Sequence, residues 1–235
     1  MSSVTMNSSS FCRYAICRVL ILMVVGVTGC QDNNKNELIN AARKGDLIEM
    51  QYIIEKRGVD VNTADQIGWT ALHMTVGNPN VKFPLSVLKY LIDNGADVNA
   101  NGYQGYRPLH NAVLYAAESN STDEIQFLID AGADVNAKND MDETPLFMAA
   151  QVNPKIAKYL MEHGADVNVI SERGWTPLHR AAAYYADAEV LHDLIEHGAV
   201  VNVKDNEGKT PLDIANRPEK VEILREAGGK SGKEL

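Results

Sequence analysis

Two short signatures alternate along most of this chain, and the distance between them is fixed. GVDVN at Gly58–Asn62 returns as GADVN at Gly95, Gly132 and Gly164 and as GAVVN at Gly198. TALH at Thr70 returns as RPLH at Arg107, TPLF at Thr144, TPLH at Thr176 and TPLD at Thr210. Each glycine precedes the next motif by 12 residues in all five cases, whereas the way back from motif to glycine takes 25, 25, 20 and 22 residues. The connection between units is therefore constant, and length varies inside them. No single unit of this size buries its apolar face alone, so the chain must fold as a stack in which each unit covers the next.

The chemistry of one unit predicts two helices. Threonine suits an N-cap, and proline suits the first helical turn, where its missing N–H is not needed. Leu72, Leu109, Leu146, Leu178 and Leu212 then fall on the stacking side. The second helix carries runs such as Val87-Leu88-Lys89-Tyr90-Leu91-Ile92 and ends at a glycine able to take positive φ. Asp-Val-Asn leads into the next turn. The two signatures and their period resemble the ankyrin repeat, and the resemblance covers residues 36 to about 229. It implies an all-α solenoid of about six helix-turn-helix units joined by β-hairpin loops. The first unit, NELINAARKGD at Asn36–Asp46, lacks the TPLH motif, and the last ends in PEKVEILREAGGKSGKEL without a further GADVN. Both read as caps, with 230–235 as a flexible tail. The segments NPNVKFPLS (Asn78–Ser86) and YAAESNSTD (Tyr115–Asp123) read as enlarged loops or longer first helices.

The chain's beginning has a different character. Residues 1–18 are polar with Arg13 and Arg18, and VLILMVVGV at Val19–Val27 follows, then TGCQDNNKN. A basic segment, an apolar run too short to span a bilayer and small residues before a cut describe a signal peptide over 1–29. Val27-Thr28-Gly29-Cys30 resembles the lipobox of bacterial lipoproteins. The resemblance implies a diacylglycerol on Cys30, cleavage before it, and residues 30–35 as lipidated cysteine and short tether. Stable anchoring takes two or more acyl chains. With Gln31 after the cysteine, the expected location is the bacterial cell envelope, periplasm-facing, on the outer membrane's inner leaflet.

Composition narrows the function. Arg13 and Arg18 are the only charges before Cys30, so the formal −9 becomes −11 over residues 30–235. A phosphate-binding face would need a Lys/Arg cluster, and none is visible, which argues against nucleic acid. All three cysteines (Cys12, Cys17, Cys30) precede the repeats, leaving no thiolate nucleophile or cysteine metal site after Cys30. There is no G-x-S-x-G, H-E-x-x-H or strand-anchored G-x-G-x-x-G. GGKSGKEL fails as a phosphate loop because Ala227 stands where its first glycine is required and Glu234 follows Lys233. His73, His110 and His179 occupy the motif's own histidine position, which in ankyrin repeats serves hydrogen bonding between turns. His192 and His197 are five residues apart, poorly aligned for a shared metal. The expectation is a non-enzyme without cofactor or metal, binding a protein partner as a monomer.

The two tryptophans point to where that partner sits. Trp69 and Trp175 each precede the threonine of a motif, at a position that holds Tyr106, Glu143 and Lys209 in the other units. Tyr103 and Met141 fall at neighbouring hairpin-tip positions, and Tyr115 and Tyr184 near the ends of first helices. In proteins of this resemblance, hairpin tips and first helices line a concave face that takes protein partners. Aromatics give large contact area at small entropic cost. Trp69, Tyr103, Tyr106, Tyr115, Met141, Trp175 and Tyr184 are therefore the candidate partner-binding residues, with acidic neighbours favouring a basic partner. Immunity towards an incoming toxin and assistance to an envelope enzyme are both compatible with such a face. So is the alternative of stacking sugar rings of a glycan or of the cell wall. Tyr90, Phe127 and Tyr159 share a second-helix position and read as packing residues.

Overall fold

The computed structural model describes residues 33–76, 78, 81, 84–119, 121–184 and 188–235. The expected signal peptide and lipidated Cys30 lie outside these residues, as does much of the segment 77–83. Twelve α-helices are present among the described residues, in six consecutive pairs. They are α1 (Asn33–Lys44) with α2 (Leu47–Gln51, continued by one π-helical turn Tyr52–Lys56), α3 (Ala71–Thr75) with α4 (Pro84–Asp93), and α5 (Pro108–Ser119) with α6 (Asp123–Asp130). Then come α7 (Pro145–Val152) with α8 (Pro154–Glu162), α9 (Pro177–Ala183) with α10 (Glu189–Glu196), and α11 (Pro211–Ile214) with α12 (Pro218–Glu226). The predicted solenoid of six units is the fold. The extra length near residue 115 is a longer first helix, with α5 reaching twelve residues against eight in α7.

Local chemistry sets the starts of three first helices as the sequence predicts, with one addition. Thr70, Thr144 and Thr176 accept the amide of the third helical residue on their hydroxyls. At Thr70 and Thr176 the box is closed by histidine in place of the usual glutamate, since Nδ1 of His73 and of His179 accepts the threonine's own N–H. Arg107 has no hydroxyl, yet its N–H still reaches His110 Nδ1 at 3.1 Å. The motif leucines are buried between units, Leu146 and Leu178 completely.

Two polar ladders run along the stack. The asparagine of every GADVN-type signature donates its amide to the next unit's glycine carbonyl and accepts an N–H two residues further on. Asn62 thus pairs with Gly95 and Asp97, Asn99 with Gly132 and Asp134, Asn136 with Gly164 and Asp166, and Asn168 with Gly198 and Val200. The hairpins are each closed by an N–H to carbonyl bond across four residues, such as Ser171 to Trp175 at 2.9 Å. Successive tips then join through Asp140 N–H to Gln104, Glu172 N–H to Met141 and Asn206 N–H to Arg173. At Gly174, with φ +77°, an added Cβ would lie 2.8 Å from the Asn206 nitrogen, so only glycine lets the tips meet there.

The ends differ from expectation in two places. α1 already begins at Asn33, inside the segment expected as tether, so only Gln31 and Asp32 separate it from Cys30. The tail at 230–235 is docked rather than free. Asn202 extends the asparagine ladder to Gly228 and Lys230, Thr210 Oγ1 donates to the Lys230 carbonyl, and Asp213 accepts the Gly232 amide at 2.6 Å. The segment thus replaces the missing sixth turn. The C-terminal cap also sends Lys220, fully buried on α12, to the carbonyl oxygens of Ala181 and Tyr184 at the end of α9. The last carbonyls of a helix lack intrahelical partners, and an ammonium is well suited to them.

Candidate functional site

The candidate residues sit where the hairpins and first helices form one continuous row, but they do not share one environment. Trp69 is 3 % exposed and meets the His73 ring edge-on at 4.9 Å between centroids. Its burial follows from the next hairpin. That hairpin begins with Gly102 where the others begin with Asp65, Asn139, Ser171 and Asp205, and a Cβ at Gly102 would come within 3.2 Å of the indole and 2.9 Å of His73 Nε2. Without a side chain, the backbone closes over the ring. Tyr106 is buried too, 5.6 Å from the His110 ring. Neither of these two presents its ring to a partner.

Trp175 has the opposite neighbour. The hairpin that follows it starts with Asp205, whose carboxylate accepts the indole Nε1–H at 3.0 Å. Asp205 Oδ1 meanwhile takes the amides of Glu207 and Lys209, which fixes the carboxylate in place. The indole is held at its polar edge and left half-buried. Tyr184 packs against it, centroids 6.3 Å apart and edge to face, and is half-buried as well. The Arg180 guanidinium lies 4.9 Å from the Tyr184 centroid and 5.0 Å from that of Phe147, between the two rings. Arg180 also faces Glu143 at 3.7 Å. A guanidinium over aromatic faces gains quadrupole attraction and stiffens both.

Of the seven candidates, the structure brings Trp175 and Tyr184 into contact. Tyr103 stands 41 % exposed in a short 3₁₀ turn at Tyr103–Gly105, and Met141 is half-buried at its own tip. Tyr115 is half-buried on α5. The residues that sequence reasoning missed are Phe147, Arg180 and Asp205. Phe147 carried a signal, since it replaces the motif histidine with an aromatic ring, where the last unit has Asp213. His73, His110 and His179 each direct Nε2 to a carbonyl of the following hairpin (Tyr106, Glu143 and Lys209, at 3.1, 3.1 and 3.3 Å). Phe147 cannot make that bond, and its ring instead supports Arg180.

The same histidines are poor acids or bases. Burial pushes the pKa of His73 and His110 down to about 4 and lowers that of His179. Among the described residues no three His, Cys, Asp or Glu side chains come together in a way that could hold a metal ion. No described helix is long and apolar enough to cross a membrane.

A family model described as ankyrin repeats (3 copies) matches residues 38–115 and 85–171, and a second, ankyrin repeats (many copies), matches 160–215. No curated protein matches the chain.

Proposed function

The chain belongs to the ankyrin-repeat family, whose stacked units are protein-interaction scaffolds and generally not enzymes, and we propose that it binds a protein partner through the cluster around Trp175. The single observation behind this reading is the contrast between the two tryptophans. Trp69 is packed away, whereas Trp175 is fixed at its edge by Asp205 and left half-open beside Tyr184, whose own ring shares the Arg180 guanidinium with Phe147. Rigid aromatics with an arginine are the residue types that dominate interface energetics. Glu143 and Asp205 give the surroundings a negative character suited to a basic partner. The VTGC motif at Val27–Cys30 supports the further reading of a lipid-anchored envelope protein, whose partner is a resident enzyme or an incoming toxin.

The test is capture of partners from envelope extract by the full lipidated chain, followed by titration of the captured protein. Trp175→Ala with Tyr184→Ala should abolish the interaction, while Trp69→Phe, which keeps the buried ring, should retain it. Equal binding by a folded double variant overturns the site. Retention on purified cell wall in place of a protein would move the reading to glycans. Absence of labelled fatty acid on wild-type Cys30 would overturn the anchor alone.

A further inference from the structure

We propose that α2 of the first unit is the face that seats on the membrane, with Ile48 and Tyr52 entering the headgroup layer of the phospholipid bilayer. The inference rests on the reading of Cys30 as the lipidated residue.

Three observations carry it. First, the attachment is very short. With α1 starting at Asn33, three Cα–Cα steps from Cys30 reach at most about 11 Å. The end of α2 lies beside the first turns of α1, where Arg57 pairs with Glu37. Second, among the described residues α2 exposes two large apolar side chains. Ile48 is 81 % exposed and Tyr52 54 %, and four residues apart they lie on one helical side. The opposite side, with Met50 and Ile53, is fully buried in the stack. Tyrosine prefers the bilayer interface, where its ring is apolar and its hydroxyl wet. Third, charge is segregated. Residues 33–57 carry five basic and four acidic side chains, a net +1, whereas 58–235 carry 15 basic and 26 acidic, a net −11. An anionic surface repels the later units and tolerates the first.

A second copy of the chain is a poorer occupant. Two exposed side chains fall well short of the roughly 1,200 Å² that a stable protein interface buries. A bilayer needs no matching patch, and the short tether keeps it at high effective concentration beside α2. Seated this way, the solenoid points away from the membrane, and the Trp175 cluster stands four units out, about 30–40 Å along the stack at ordinary helix spacing.

The processed chain has no thiol after Cys30, so single cysteines report cleanly. Ile48→Cys and Ile170→Cys, the latter 52 % exposed in the fifth unit, would each carry a small environment-sensitive fluorophore on the full lipidated protein. The protein would be reconstituted into phosphatidylethanolamine–phosphatidylglycerol vesicles with or without brominated acyl chains. The expected result is a blue shift at position 48 with at least about twofold quenching by brominated lipid, and neither at 170. Wild-type protein that floats with vesicles while the position 48 label stays as wet as that at 170 overturns the seating and leaves the anchor standing. Wild-type protein that fails to float overturns both.

Discussion

His73 Nε2 lies 3.1 Å from the carbonyl oxygen of Tyr106, thirty-three residues further along the chain. Its other nitrogen accepts the Thr70 amide, so the ring is held as the neutral tautomer with its proton on Nε2. A second proton would have to enter at Nδ1, against an N–H already pointing there. His110 repeats the arrangement between Arg107 and Glu143.

Acid should therefore loosen the stack well above the range where carboxylates titrate. Both rings have folded pKa values near 4, below the unfolded value near 6.5. The unfolded chain then binds more protons between these values, so stability is complete above pH 6.5 and falls as pH drops towards 4. At pH 5 each ring should have lost about 2 kcal/mol. Urea unfolding at pH 7.5 and pH 5 checks this. His110→Phe, which copies the residue found at position 147, should lower stability at pH 7.5 by about 1–2 kcal/mol and make the pH slope shallower. An unchanged slope would deny the ring its role.

Val200 should be improvable. In the other signatures an aspartate side chain accepts the amide two residues on, as Asp166 does for Asn168 at 2.8 Å. Val200 occupies that place, 54 % exposed, and can accept nothing. Val200→Asp should restore the turn and raise stability by about 0.5–1 kcal/mol, read as a higher melting temperature. No gain would mean that the backbone there is already held fully by Asn168.

Lys220 should matter more than its place in a terminal cap suggests. Lys220→Met keeps the length of the side chain but leaves the Ala181 and Tyr184 carbonyls without the ammonium. The cost should be about 2–3 kcal/mol. Hydrogen exchange should quicken in α9 and α12 while the first three units keep their protection, because a solenoid passes strain mainly to neighbouring units.

The repeat was legible because its signals are local: a capping threonine, a proline at the first turn and a glycine at the helix end act within a few residues of themselves. The caps were legible for the same reason, apart from the tail. Its docking depends on Asn202 finding Gly228 and Lys230 in three dimensions, in a segment without a GADVN to announce it. The candidate site was half legible. The position before the motif threonine marked both tryptophans equally, but their exposure is decided by the first residue of the next hairpin, Gly102 or Asp205, a contact across units that no single-unit pattern displays.

That contact yields the sharpest test of the interaction face. If Gly102 buries Trp69 and Asp205 holds Trp175 open, the two rings should respond oppositely to substitution. Trp69→Ala should cost about 3–5 kcal/mol of stability as a core truncation, with partner affinity in the folded fraction unchanged. Trp175→Ala should cost about 1 kcal/mol of stability, since its ring is half-exposed, yet weaken partner binding by about 2 kcal/mol or more, roughly thirtyfold. Glu143→Gln separates position from contact. Its amide oxygen can still face the Arg180 guanidinium and the indole keeps its Asp205 acceptor, so the rings should stay in place while a negative charge beside them is removed. Against a basic partner, association should slow and its salt dependence should flatten, with dissociation little changed. Stopped-flow binding at two ionic strengths reads both rates, and a variant that alters only dissociation would place the partner's contact on the ring rather than in its field.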